Sequence, residues 1–346
     1  MSEIVRRNMR ATMKDVAKAS GVSTMTVSNV LNGRSEYVSA ATKKKVEREI
    51  ERLGYRRQAN ARNLRVSQQR SVGMVIVDQA PTFLATLFTA HVVAGLANVL
   101  NGADYTLSVQ GIRPGGMASS MIMRNFDVGG FCLMASGTPA YRKETARTLV
   151  GLDQPMIIFQ EDFTGLGDDL CIVRQDDRGG GRLIGDHLLA RRARRLLMVI
   201  PQQPWPAMEN RIEGVRDSIE GSGVDVEFTV IECKTEAFGD AQHAVAQYLA
   251  THQTPDAVIG GNDAIATAAL LLLLDRGFKV PQEIRVIGFN GFAAHRYSRP
   301  RLTTILSASY AIGETAGHAM LSRLKGAAFE CTEYVLPVQF DLGETT

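Results

Sequence analysis

Residues 12–33 read TMKDVAKASGVSTMTVSNVLNG, and their spacing decides the N-terminal fold. Thr12 followed by Asp15 is a capping signal, and Met13, Val16 and Ala17 give the helix it opens an apolar stripe. Gly21 supplies a turn, where a left-handed backbone costs glycine little. Ser23 then caps a second helix, whose Val27, Val30 and Leu31 repeat at i, i+3, i+4. That register leaves Thr24, Met25, Ser28 and Asn29 on or near the outward face. A short helix with small polar residues at its N-terminal end suits a DNA major groove.

Charge agrees with this reading. Residues 1–70 hold 16 Lys/Arg against 6 Asp/Glu, a net of +10; the remainder holds 23 against 30, a net of −7. A basic head on an acidic body is the footprint of a phosphate-binding module on a soluble carrier. Downstream, residues 33–38 read as a loop. Ser39 opens a third helix striped by Val46, Ile50 and Leu53 and closed by Gly54. Residues 58–65 have helix-forming composition but are too short to be stable alone, and Leu64 has no core to enter.

From Ser71 the texture changes. SVGMVIV, YTLSV, GFCLM and PMIIF are strand-like runs separated by helical stretches, the first of them over about residues 83–100. LLMVI, FTVIE, DAVIG and IRVIGF form a second series. The alternation predicts parallel, doubly wound sheets in two similar lobes, joined near residues 170–174. The cleft between such lobes is the default pocket. At 346 residues, 45% hydrophobic and 22% charged, the chain has room for a small module and a two-lobed body. Residues 264–274 are apolar but too few to span a bilayer, and predict a buried helix. The N-terminus lacks the apolar core of a signal peptide, so a cytoplasmic protein is expected. Cys132, Cys171, Cys233 and Cys331 stand singly, which reads as buried free thiols in a reducing cytoplasm.

These residues resemble the lactose/galactose repressor (LacI/GalR) family of bacterial transcription regulators. The resemblance is carried by DVAKASGVSTMTVSNVLNG, VSAATKKKVEREIERLGY, ANARNL, GGNDAIATAAL, IRVIGFNG and RPRLTTI. It implies an all-α helix-turn-helix head and hinge helix joined to an α/β body of doubly wound parallel sheets, like periplasmic binding proteins. The boundaries expected are 1–57 for the head and 58–69 for the hinge. The first lobe takes 70–171 with 306–333, and the second 172–305 with 334–346. The resemblance also implies a homodimer, with a tetramer left open, on near-palindromic double-stranded operator DNA.

Position by position, it places Thr24, Met25 and Asn29 on bases, with Ser23, Thr26 and Ser28 as phosphate-contacting or helix-supporting neighbours. Thr12, Tyr37 and Ser39 join them as DNA contacts. Leu64 matches a hinge leucine that wedges into the minor groove, beside Arg62 and Asn63. Asn29 stands where many members carry Arg, so the operator base it meets is expected to differ. Arg57-Gln58 replaces the common Pro-Asn before the hinge, and one extra residue sits near 36–37.

For the effector, a carbohydrate by this resemblance, Arg211 matches an arginine that pairs with a hydroxyl or carboxylate; by pattern alone it could be a surface guanidinium. Asn262 can fork onto vicinal hydroxyls, while Asp263 either joins it or caps the next helix. Asn290 and Gln160 each stand where Asp is frequent. Phe238 matches a pocket aromatic, Trp205 either stacks on ligand or simply packs, and Asp78 and Phe83 are further wall candidates. Donors and acceptors together favour a polyhydroxylated ligand.

Other signals carry less. The DDRGGGRLIG stretch lacks the third fingerprint glycine and its strand context, and no P-loop, HExxH or GxSxG occurs. The six His are dispersed, so neither a metal nor a cofactor is expected. The basic residues 191–195 read as a solvated corner. A solute-binding receptor and an enzyme on the same α/β scaffold are the competing classes. The basic head opposes the first, and no nucleophile–base set supports the second.

Overall fold

The computed structural model describes residues 12–31, 38–53, 70–79, 83–117, 120, 128–163, 165–202, 205–292 and 296–346. The chain divides into two compact units, 1–68 and 69–346.

The first unit holds α1 (Met13–Ser20), α2 (Thr24–Leu31) and α3 (Ala40–Leu53). Thr12 and Asp15 close a full capping box: the Asp15 amide donates to Thr12 Oγ1 at 3.3 Å, and the Thr12 amide donates back to Asp15 Oδ2 at 2.8 Å. Those hydrogen bonds from Thr12 hold the Asp15 carboxyl below its ordinary pKa. Gly21 ends α1 at φ 62°, and its amide donates into the last turn. Val16, Ala17, Val27 and Val46 form the small core, with Met13, Val22, Val30, Leu31, Ile50 and Leu53 packed around it. The helix periodicity anticipated each of these residues except Val22, which follows the Gly21 turn.

The second unit has two lobes. The first is a parallel sheet of β1 (Ser71–Val77), β2 (Thr106–Ile112), β3 (Gly130–Ala135), β4 (Met156–Phe159), β5 (Leu170–Gln175) and β11 (Glu333–Leu336), in the order β11-β5-β4-β3-β1-β2. The second is built on β6 (Arg195–Pro201), β7 (Glu227–Cys233), β8 (Ala257–Gly260) and β9 (Arg285–Ile287), ordered β7-β6-β8-β9. An antiparallel pair, β10 (Thr304–Leu306) with β12 (Gln339–Asp341), continues it through single bridges from Ile287 to Thr303 and from Asn290 to Leu306. Both lobes therefore start from one central strand and wind outward in both directions.

Two expectations are corrected here. Residues 170–174 are no linker. They belong to β5, which is hydrogen-bonded to β4 on one side and β11 on the other and almost fully buried. A boundary at 171/172 would cut a strand with no free edge, so the first crossover lies after Gln175. The return boundary at 333/334 moves for the same reason, because Glu333 to Leu336 all pair with β5. The first helix of the body also starts later than residue 83, at Leu87. The helix expected between β2 and β3 falls largely outside the described residues.

The helices of the body are α4 (Leu87–Gly102), α5 (Pro139–Val150), α6 (Asp177–Ala190), α7 (Pro206–Ser222), α8 (Phe238–Thr251), α9 (Asp263–Asp275) and α10 (Ser309–Leu324). The apolar run at 264–274 is the buried helix expected, and Cys132, Cys171 and Cys233 are buried free thiols, whereas Cys331, expected to be buried with them, is free and exposed. Among the described residues no helix is long and apolar enough to cross a membrane.

Two helix pairs touch backbone to backbone. A Cβ on Gly214 of α7 would overlap the Arg178 carbonyl of α6, and one on Gly181 of α6 would overlap the Arg211 carbonyl of α7. Gly95 of α4 and Gly313 of α10 make the same approach in the first lobe. Within DDRGGGRLIG, Gly181 and Gly185 thus serve close packing against α7, and Gly180 leaves room for the Phe289 ring. Gly214→Ala should force the α6–α7 pair apart and cost about 1–3 kcal/mol, read as a lower urea midpoint with an unchanged slope. A midpoint equal to wild type would show that the pair has slack.

Candidate functional site

In the head, the side chains expected to meet DNA sit at helix N-termini. Ser23 caps α2, its Oγ accepting from the Thr26 amide at 3.1 Å and lying 2.9 Å from Thr26 Oγ1. Ser39 caps α3 in the same way, accepting from the Thr42 amide at 3.2 Å. With Thr12, three of the candidates therefore hold helix ends open. Backbone N–H groups there attract phosphate. Thr24 and Met25 project from the first turn of α2, and Met25 is 69% exposed. Water-exposed methionine at that level has no packing role. Thr26, Ser28 and Asn29 are half-buried on the same helix. Tyr37, Arg62, Asn63 and Leu64 lie outside the described residues.

In the body, the carboxyl ends of the strands from both lobes surround a cavity of about 450 Å³. Gln160, Trp205, Arg211, Phe238, Asn262 and Asn290 all line it. Arg211 projects from α7 and is 2% exposed, so it is no surface guanidinium. Its Nε and Nη2 both donate to Asp177 Oδ1 at 2.8 Å, Nη1 donates to the Gly261 carbonyl at 2.5 Å, and Nη2 also reaches Asn290 Oδ1 at 3.3 Å. The Phe289 ring lies under its Cζ, 3.5 Å from the centroid, adding a cation–π contact.

Asp177, at the start of α6, gathers further donors: Gln160 Nε2 at 2.7 Å and Gln175 Nε2 at 2.9 Å. Gln175, the last residue of β5, also donates its amide to Gln160 Oε1 at 3.0 Å. Its Oε1 accepts from Ser307 Oγ at 2.8 Å and from the Ala308 amide at 3.1 Å. Beside it, the Asp176 amide donates to the Leu336 carbonyl at 2.9 Å. The chain crossovers after β5 and β10 thus meet in one buried polar network that ends at the cavity floor, and the crossover after β11 runs beside the first through the Leu336 carbonyl. Gln160 and Asn290 both have positive φ, 63° and 113°, strain that the surrounding network holds in place.

The remaining candidates divide. Asn262, rather than Asp263, caps α9, its Oδ1 accepting from the Ile265 amide at 3.0 Å. Asp263 instead ties the lobe together, accepting from Thr304 Oγ1 at 2.5 Å and from the Gly291 amide at 2.7 Å. Both also line the cavity. Trp205 lines the cavity and also packs against the first-lobe core. Phe83 is not on the wall: its ring fills the space above Gly111, where a side chain would otherwise sit, and packs on the core. Asp78 is also off the lining, although it acts electrostatically on Glu236, which is on it.

Sequence reading missed Glu236 and the apolar wall of Phe88, Met134, Phe159, Met208 and Phe292. Glu236 sits in the loop after β7, two residues before Phe238, so the strand-end rule that found Asn262 and Asn290 applied to it equally.

With this geometry in view, the comparisons are decisive. Residues 12–58 match the family of bacterial regulatory proteins named for lacI, and residues 185–346 match the periplasmic binding protein-like domain. The chain belongs to the LacI family. It is 27% identical to the HTH-type transcriptional repressor PurR of Vibrio atlanticus (strain LGP32), over 91% of this chain and 92% of that one. It is 28% identical to the ribose operon repressor of Escherichia coli (strain K12), over 91% and 93%. The Lac repressor dimer bound to operator and the anti-inducer ONPF has the same fold, with a TM-score of 0.82 at 22% identity, covering 97% of this chain and 99% of that one. The family consists of transcriptional regulators, and this LacI-family protein is a DNA-binding transcriptional regulator with a helix-turn-helix head and a two-lobed α/β body.

Proposed function

We propose that this protein is a cytoplasmic repressor that binds a near-palindromic operator as a homodimer and whose grip on DNA is set by a small polar molecule held between the two lobes. A carbohydrate or carbohydrate derivative is the effector class. The observation that carries the reading is the meeting of the crossovers after β5 and β10, through Gln175 and Ser307, with the Gln160–Asp177–Arg211–Asn290 cluster at the floor of the cavity. A ligand on that floor touches the hinge between lobes directly. Whichever lobe arrangement it favours is the one it selects, so ligand affinity and operator affinity must change together. Moving occupancy from nearly all to nearly none needs a discrimination of about 5.5 kcal/mol between the two states.

On DNA, Thr24 and Met25 offer a hydroxyl and an exposed apolar chain to base edges, the latter suited to a thymine methyl. Asn29, lower on α2, offers the amide that pairs with adenine N6 and N7. Capture of genomic fragments by the purified protein, followed by titration of candidate sugars, tests the whole reading. Absence of preference for any fragment over random DNA, with and without small molecules, would overturn it. Asn29→Arg should replace an adenine preference by a guanine preference at one symmetric pair of operator positions, about 1–3 kcal/mol per half-site. A sequence logo unchanged at every position would remove Asn29 from base recognition.

A further inference from the structure

The two walls of the cavity differ in chemistry. Among the described residues the first lobe contributes Leu87, Phe88, Met134, Ala135 and Phe159, with the neutral polar groups of Thr86, Thr89 and Gln160 and no charged side chain. The second contributes the charged groups. Among the described residues that line the cavity Arg211 is the only cation, and its guanidinium is already held by Asp177. The acids are Glu236 and Asp263 on the lining, with Asp177 behind Arg211 and Asp78 acting on Glu236.

Glu236 is the acid best placed to meet a ligand. Among the described residues no arginine or lysine is hydrogen-bonded to it; the Asn262 side chain is its donor, and Arg211 acts on it only through space. Burial, reinforced by Asp78, raises its pKa, and a cation brought beside it would relieve that. Two residues on, Phe238 presents a ring that is 48% exposed, and Trp205 lines the same cavity. Aromatic faces carry negative potential and attract both cations and the C–H faces of rings. An anionic ligand, by contrast, would have to compete with Asp177 for Arg211 while standing beside Glu236.

Resting on the reading of this cleft as the effector site, we propose that the effector is positively charged, an amino sugar or similarly amine-bearing polyol that sets its ammonium group on Glu236 and a C–H face on the aromatic wall. The neighbouring polar atoms of Asn262 and Thr267 take its hydroxyls. The apolar first-lobe wall covers its other face on closure.

The test is a calorimetric titration of the full-length protein with three matched series: glucosamine, galactosamine and mannosamine, each beside its parent hexose, its N-acetyl form and its uronic acid. At a pH where the amine is protonated, at least one amino sugar should bind about tenfold or more tightly than its parent and its N-acetyl form, the size of one charge-assisted hydrogen bond, and its uronic acid should bind least. Glu236→Gln keeps an acceptor for Asn262 and should erase that tenfold preference, so that amino sugar and parent hexose bind within about twofold of each other in the variant. Because the ligand ranking is read in the wild-type protein, it stands whether or not the variant folds. Tighter binding of a neutral hexose or a uronic acid overturns the charge assignment but leaves the cleft as the effector site. Retention of the amine preference in Glu236→Gln overturns Glu236 as its partner. If no compound binds and none alters operator affinity, both the assignment and the effector reading on which it rests are lost.

Discussion

Replacing Arg211 by alanine is expected to abolish the effector response and, unusually for a ligand-site substitution, to destabilise the ligand-free body by about 3–5 kcal/mol. A guanidinium that waits for ligand can be removed at little cost to the fold. This one does not wait. It is 2% exposed and joins Asp177, Gly261, Asn290 and the Phe289 ring. Its loss leaves the Asp177 carboxylate buried with only the amides of Gln160 and Gln175, neither of which carries charge. The double variant Arg211→Met with Asp177→Asn should recover more than half of the lost stability, because no unpaired ion is then buried, yet should remain blind to effector. Urea unfolding followed in parallel with operator titration separates the two effects. A stable Arg211→Ala protein that merely binds ligand weakly would show that the Asp177 pair contributes nothing to the hinge.

How much of this was legible in the chain depends on whether the controlling interactions are local. Capping by Thr12, Ser23 and Ser39, the turn at Gly21 and the stripe through Val16, Val27 and Val46 are set within a few residues. Their pattern stated them outright. Strand β5 was harder. LCIVRQ ends in Arg174 and Gln175, and those polar residues look like a linker until Gln160, Asp177 and Ser307 arrive from elsewhere to satisfy Gln175. Strands β10 to β12, at three or four residues each, are too short to show a period of two. Arg211, Asn262 and Asn290 were found because they follow strands or match family positions. Their actual work, pairing with Asp177, capping α9 and bracing Arg211, depends on partners 34, 3 and 79 residues away. Asp177 itself was invisible as a site residue, since an acid at a helix start reads as a dipole partner.

The same distinction governs a second buried pair, Arg142 with Glu161, where Arg142→Ala should cost about 3–5 kcal/mol near pH 8 and clearly less near pH 5. Both side chains are 3% exposed, and Arg142 Nε donates to Glu161 Oε1 at 2.7 Å while Nη1 donates to the Gly137 carbonyl at 2.5 Å. Burial pushes the Glu161 carboxyl from 4.5 up to about 7, outweighing the pull of Arg142, with Asp162 and Glu209 pushing the same way. An acid whose folded pKa lies above its unfolded one contributes its full stability below about 4.5 and loses it as the pH rises through about 7. At pH 5 Glu161 is protonated in the folded protein and needs no cation, so the variant loses mainly packing and hydrogen bonds. At pH 8 the wild type has Arg142 to stabilise the ionised form and the variant has nothing. A penalty that is flat from pH 5 to pH 8 would refute this account. The pair also reaches across the cleft, since Arg142 Nη2 lies 3.4 Å from Glu209 Oε2 on α7. Glu209 is 47% exposed, so Glu209→Gln should change stability by less than about 1 kcal/mol. It nonetheless removes an ionic contact between the lobes, so effector and operator affinities should both move in that variant while the melting temperature holds.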